Sequence, residues 1–438
     1  MPDELTLPWG KERTISFTLP EGWNVKAILK PHHPAEFSAD LAAELDRAMR
    51  SPTGSAPLSQ FARRGKTAGI VIDDRTRPTP VRAILPRVIG ELHQAGVNDR
   101  DIVILIALGA HRDMTESEIA ERVGPEIAQR FRVVNHHYKD KKELVYLGNT
   151  PTHGIPVTVN RLVVEADTVV LIGCIEAHEQ AGFGGGYKNI MPGVAGHEPI
   201  HATHTPKFQM PERMSSAGMP KARCRFRQAV DECGALLGPK VFIVNIVLDP
   251  TEKVAIVAGH PLDAHKAGTD IYRRMAEVKL DGPADVVIVG ARPLDIDFRV
   301  SMKAAFNASP ALKPGGLFIL VSAVPDGLGD LRLPPKDLPL WSAKVVKKMP
   351  MSIIVPLSGR FNKSPDQAAG ALSLITLLKT ASHWLYLTPV PGGLQVLSAI
   401  GMEFFTDISV LLKRASEIMP RAEVVVMPQG GASFMAWE

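Results

Sequence analysis

At 438 residues, with 45% hydrophobic and 22% charged side chains, the chain has the composition of a soluble globular protein about three domains' worth in length. No apolar run approaches the roughly 18 residues of a membrane span, so no membrane role is expected, and a net charge of +4 without a dense basic block does not indicate nucleic acid. Cys174, Cys224 and Cys233 form neither a CxxC pair nor an even set, and the start MPDELTLPWGKERT lacks a secretory pattern, so reduced thiols in the cytoplasm are expected.

The first elements in chain order are short apolar runs at 68–72 (AGIVI), 102–108 (IVILIAL), 131–134 (FRVV), 168–172 (TVVLI) and 241–247 (VFIVNIV). Polar turns and amphipathic stretches separate them, which is the rhythm of strand, loop and helix. Continuous apolar strands interleaved with helices imply a parallel sheet covered on both faces. A helical stretch near 259–278 is followed by Asp281-Gly282-Pro283 and a second series of strands at 285–290, 316–323, 351–357, 383–387 and 423–431. The expected fold is therefore α/β, with two α/β domains of mainly parallel sheets, 1–278 and 279–438, and a cleft between them. Ligands of such sheets sit beyond the carboxyl ends of the strands, so the loops there have first claim on function.

After the first strand comes Asp73-Asp74-Arg75-Thr76-Arg77-Pro78, which reads as an anion seat at a helix start opened by Pro78, or as a capping aspartate with a solvent-facing arginine. After the second comes Gly109-Ala110-His111-Arg112, and after the fourth Gly173-Cys174-Ile175-Glu176-Ala177-His178, so two strand ends each deliver a histidine. Eight of the fourteen histidines lie between 111 and 204. His197, His201 and His204 have helical spacing and would share a face if Pro199 opens a helix, but the HExxH arrangement of a zinc hydrolase is missing. Between the histidines lies AGFGGGYK, 181–188, whose Tyr187 and Asn189 break the phosphate-loop pattern of a kinase. Its glycines, Gly184 and Gly185 among them, would let a phosphate or flat ring approach the backbone while Lys188 is carried inward. A flexible turn with an exposed lysine is the bland alternative.

Taken together, Asp74-Arg75-Thr76-Arg77-Pro78, Gly109-Ala110-His111-Arg112, Asn135-His136, the segment from Gly173 to His178, AGFGGGYK, Pro192-Gly193, His204, and Pro293-Leu294-Asp295 with Lys303 resemble the nickel-pincer lactate racemase family, the 2-hydroxyacid racemases and epimerases. The resemblance spans most of the chain in consistent order. It implies a nickel-bearing pyridinium-3-thioamide-5-thiocarboxylic acid mononucleotide attached to Lys188, made by dedicated maturation proteins and held by Asp74, Arg77, Gly184, Gly185 and the nickel ligand His204. It further implies racemisation of a 2-hydroxy acid by reversible transfer of the C2 hydride to the cofactor, with His111 and His178 as the acid–base pair. Imidazoles suit that duty because they exchange protons near neutral pH, and imidazole also suits nickel.

Arg77 and Lys303 are cations for a carboxylate or a phosphate. Lactate racemases carry a Tyr-Gln pair between PLD and the lysine, where this chain has Arg299-Val300. Arg299 would suit a second carboxylate, as in malate, or else contact phosphate or solvent. A zinc-dependent hydrolase built on the histidine cluster, a nucleotide-binding kinase and a catalytically silent hydroxy-acid-binding protein are the alternatives.

Overall fold

The computed structural model describes residues 4–10, 12–32, 34, 36–62, 66–205, 208, 215–327, 345, 348–350, 353–354, 375–376, 379–389, 398 and 401–437. Two six-stranded sheets dominate it. The first runs, in spatial order, Val254–Gly259, Val241–Leu248, Thr168–Cys174, Ala68–Asp73, Ile102–Ala107 and Arg132–Asn135. Its pairings are parallel except for the antiparallel edge strand Val254–Gly259. Central strands such as Ala68–Asp73 and Thr168–Cys174 are buried at every position, which is why they read as unbroken apolar runs: helices cover both faces.

The second sheet is parallel throughout, in the order Met402–Phe405, His383–Leu387, Leu312–Val321, Ala284–Gly290, Ala422–Met427 and Trp23–Ile28. It carries its own core on both sides, including Phe318 and Trp384, whose rings stack at 4.3 Å. The strand expected over 351–357 lies outside the described residues apart from Ile353 and Ile354, which are helical.

The expected strands at 68–72, 102–108, 131–134, 168–172, 241–247, 285–290, 316–323, 383–387 and 423–431 all have counterparts within a few residues. The N-terminal segment departs from a division at residue 278. Trp23–Ile28 pairs with Ala422–Met427 at the edge of the second sheet, and Val278 pairs with Met435. The reason is burial: Trp23 is 6% exposed and donates its indole N–H to the Met419 carbonyl at 2.7 Å, contacts only the second sheet offers. Among the described residues no helix is long and apolar enough to cross a membrane.

What the fold does for function is to point loops the same way. The segments at 73–79, 108–111 and 174–178 leave neighbouring parallel strands at their carboxyl ends, and those at 291–298 and 322–327 do the same in the second sheet. Trp23→Ala is expected to cost about 3–5 kcal/mol, measured by urea unfolding. Hydrogen exchange should place the lost protection in Ala422–Met427 rather than in Ala68–Asp73.

Candidate functional site

The loop after Ala68–Asp73 is held by its own carboxylates. Asp73, buried, accepts a hydrogen bond from the Thr79 hydroxyl at 2.5 Å and pairs with Arg122, which also donates to the carbonyls of Asp73, Arg77 and Thr79. Asp74 closes a tight turn by accepting from the backbone N–H and hydroxyl of Thr76 at 3.1 and 2.6 Å. The next helix, Val81–Gln94, begins after Pro80 rather than Pro78, so neither aspartate caps it. Asp74 instead reaches across to the next strand end, where its Oδ2 meets His111 Nδ1 at 2.7 Å.

That contact fixes a proton. Burial opposes ionisation of Asp74, but the hydrogen bond and charge of His111, with Thr76 and Arg77, hold its carboxyl far below the ordinary range. An ionised carboxylate can only accept, so His111 Nδ1 donates, and in a neutral ring the lone pair is then on Nε2.

His178 is fixed the other way. Its Nδ1 accepts from the backbone N–H groups of Gln180 and Ala181 at 3.2 and 3.3 Å, so a neutral His178 carries its proton on Nε2. Burial, then the positive charges of Lys188, Arg77, Lys303 and His204, push its pKa well down and keep it neutral. In their neutral forms the two strand-end histidines are therefore opposite tautomers.

Between them lies a compact charge network. Arg77 pairs with Glu176, and Lys303, from the helix Phe298–Ala308 of the second sheet's half, approaches the same carboxylate at 3.8 Å. Burial disfavours the Glu176 anion, yet Lys303, Arg77 and Lys188 outweigh it and hold its carboxyl low. Glu179 is held low by Lys303, its own backbone N–H, Lys188 and Arg77 against the same burial, and its Oε2 has no hydrogen-bond partner among the described residues.

Lys188 sits inside this network. Burial first, then Arg77, Lys303 and Arg227, push its amine well below its ordinary pKa. In the run 181–190 every residue is buried except Lys188. The glycines around it serve protein packing rather than open space. A methyl on Gly185, at φ +74°, would meet Asn245 Oδ1 and Ile175 at 2.8 Å, and one on Gly184 would meet the Cys174 carbonyl at 3.1 Å. The loop thus fits closely against the strand end beneath it.

His204 ends the helix His197–Thr203, which opens at His197 rather than Pro199. The three histidines do not act together: His197 and His201 stack on each other at 5.7 Å, whereas His204 packs edge-on against Phe226 at 5.2 Å. His204 Nδ1 donates to the Ile200 carbonyl at 2.8 Å. Among the described residues no group of three or more His, Cys, Asp or Glu side chains is arranged to hold a metal ion, so a zinc-hydrolase ligand set is not assembled there. His136 is structural, bonded to the Ala195 carbonyl and Asn160 in the core.

Arg299 lies on the first turn of the helix Phe298–Ala308, four residues before Lys303 and so on the same face, half-buried and without a hydrogen bond or ion pair among the described residues. Glu176 as a charge partner, Glu179, Arg122 and Arg227 are site residues that sequence motifs do not reveal.

Comparison with known proteins gives one consistent picture. Residues 9–216 match the lactate racemase N-terminal domain. The chain is 31% identical over 434 residues to a lactate racemase of Thermoanaerobacterium thermosaccharolyticum, covering 97% of each. It is 31% identical over 292 residues to a lactate racemase of Lactiplantibacillus plantarum, covering 65% of this chain and 66% of that protein. The structure is similar to the lactate racemase apoprotein of T. thermosaccharolyticum, with a TM-score of 0.84 at 26% identity over 99% of this chain and 100% of the other. A Thermotoga maritima protein, at 17% identity and a TM-score of 0.62 over 87% of this chain and 98% of its own, shares the fold.

The depressed Asp74 pKa has a pH signature. A carboxyl lowered in the folded state adds stability that is present above its unfolded pKa and lost as pH falls toward the folded one. Asp74→Asn is therefore expected to destabilise the protein at pH 7, with the gap from wild type narrowing below about pH 4, as read by thermal unfolding across that range.

Proposed function

We propose that this chain, which belongs to the lactate racemase family, inverts the configuration at C2 of a 2-hydroxy carboxylic acid. What carries the reading is the pairing of two strand-end histidines, opposite tautomers in their neutral forms, around one cationic cluster: His111 through Asp74 and His178 through its surroundings are both tied to Arg77.

The family's nickel pincer nucleotide fits the residues present. The Lys188 amine has its pKa pushed well down, toward the uncharged form a thioamide tether requires, and it is the half-buried side chain of an otherwise buried run. Arg77, Lys303 and Arg227 surround it with positive charge suited to a phosphate or carboxylate. His204 offers one imidazole nitrogen with the other anchored, as metal-binding histidines do. On this fit Lys188 holds the tether and His204 the nickel. When bound, the group supplies an acceptor for the C2 hydrogen and its electron pair, chemistry that side chains do not provide.

The chain's own residues do the rest. Arg77 and Lys303 seat the substrate carboxylate, with Glu176 limiting their net charge. His111 Nε2 takes the hydroxyl proton as the carbonyl forms, and the resulting imidazolium is stabilised by Asp74. On the other side His178 returns a proton to the oxygen when it carries one on each nitrogen, since a neutral Nε2–H ring giving up its proton would be left as an imidazolate. For the opposite enantiomer His178 must accept a proton at Nε2, which requires its own proton to move to Nδ1 and the Gln180 and Ala181 contacts to break. The two histidines are thus not equivalent.

Arg299, one helical turn from Lys303, supports a substrate with a second carboxylate. The helix's N-terminal end adds a favourable field for an anion.

The test is a panel of chiral 2-hydroxy acids assayed on protein co-produced with the cofactor maturation proteins. Racemisation is expected, faster for dicarboxylates such as malate than for monocarboxylates, and Arg299→Ala should raise KM for the diacid without changing it for lactate. Absence of racemisation across the panel on protein carrying the Lys188 adduct contradicts the function. Equal turnover of mono- and dicarboxylates contradicts only the role of Arg299. His111→Ala and His111→Gln should each lose about 10²- to 10⁴-fold in kcat, whereas His178→Gln, which keeps a donor, should retain more activity than His178→Ala.

A further inference from the structure

The helix Arg225–Ala235 touches the site at three places, although none of its residues belongs to a motif. Phe226, 1% exposed, packs its ring nearly perpendicular to that of His204, with centroids 5.2 Å apart. Arg227, 3% exposed, donates from Nη1 to the Gly185 carbonyl at 3.1 Å, three residues before Lys188. One face further on, Gly234 lies against the ring of Tyr187, so closely that an added methyl would fall 2.1 Å from it. The helix therefore holds the residue adjoining the tether lysine, the loop leading to it and the imidazole assigned to nickel.

Arg227 does not stand alone. Its guanidinium is fixed by Asp231, one turn on, which also pairs with Lys221 at 2.7 Å. Beside it, His265 Nε2 donates to the Gly184 carbonyl at 2.8 Å, and Asn245 Oδ1 accepts from the Gly186 N–H at 2.7 Å. Three consecutive backbone units of the glycine loop are thus each held by a different buried polar side chain, from two helices and a strand. A buried cation with its partner is expensive to remove from water, and here it is aimed at a backbone carbonyl of the loop. That expense is understandable if loop position must be fixed to a fraction of an ångström.

We propose that this helix is a ruler that fixes the separation between the Lys188 amine and the His204 imidazole, with Arg227 and Phe226 as positioning residues for the two attachment points. The inference rests on the assignment of those points made above. Neighbouring residues on one rigid helix give a fixed span, so a change at either should disturb one attachment and spare the other.

Both arms of the test have readouts other than turnover. In the cofactor-free protein, acetic anhydride at neutral pH is used to acetylate Lys188, followed by peptide mass against surface lysines. In Arg227→Met the Lys188 rate should fall severalfold relative to those lysines, while Arg227→Lys restores most of it and Phe226→Leu leaves it unchanged. In protein co-produced with the maturation proteins, Phe226→Leu should keep the Lys188 adduct but bind nickel about tenfold more weakly, read as nickel per adduct after dialysis. Circular dichroism identifies any variant that has failed to fold, and the conservative pair Arg227→Lys and Phe226→Leu still reports the ratio. If Arg227→Met labels at the wild-type rate and Phe226→Leu retains wild-type nickel per adduct, the ruler is wrong. If wild-type protein gains no adduct at all, the cofactor assignment fails instead, and the acetylation arm still decides the role of Arg227.

Discussion

The site is organised by the need to accommodate several charges in one partly water-excluded space. Arg77, Lys303 and Arg227 approach from three separate segments, and Glu176, Glu179 and Asp231 answer them. Buried charges persist only when paired, and Lys188, set among these cations, has its pKa pushed well down by burial and then by their charge. Its lowered pKa, that of His178 and that of Glu176 follow from burial set against those charges. Lys303 also links the second sheet's half to the first through Glu176, so the charge network spans the space between the two sheets.

The same balance makes the two histidines unlike. One has a carboxylate on its Nδ1; the other is surrounded by cations, with backbone N–H groups on its Nδ1. Residue type and position make them look alike in the sequence, each following a glycine at a strand end. Their difference comes from Asp74, which is distant from His111 in the chain, and from the turn of backbone after His178. A motif records the residue but not the partner that sets its proton.

Much of the fold was legible because strands buried on both faces leave unbroken apolar runs such as IVILIAL and TVVLI, and turn residues mark their ends. Trp23–Ile28 was not, because an edge strand half open to solvent has no such run. In the site, Asp74, Arg77, His111, His178, Lys188, His204 and Lys303 stand out by their place after strands or in motifs. Arg122, Glu179, Arg227, Asn245 and His265 do not, since each lies in an ordinary helix, strand or loop and acts through contacts distant in sequence. The one local hint was Arg227 with Asp231, a charged pair at helical spacing on an otherwise apolar face. The glycines of AGFGGGYK suit the approach of a ligand to the backbone, and they also lie where an added methyl would meet protein atoms. Sequence cannot tell those two reasons apart.

The central claim is that hydrogen leaves C2 with its electron pair and returns to the same carbon, while side chains handle only the hydroxyl proton. The direct measurement is the fate of deuterium placed at C2 of one enantiomer, followed by mass spectrometry of the racemised product in ordinary water. Retention of the label in the opposite enantiomer is the result this account requires. Replacement of the label by solvent hydrogen at each inversion would mean that C2 loses a proton instead, and the roles assigned to Lys188, His204 and the two histidines would have to be rebuilt.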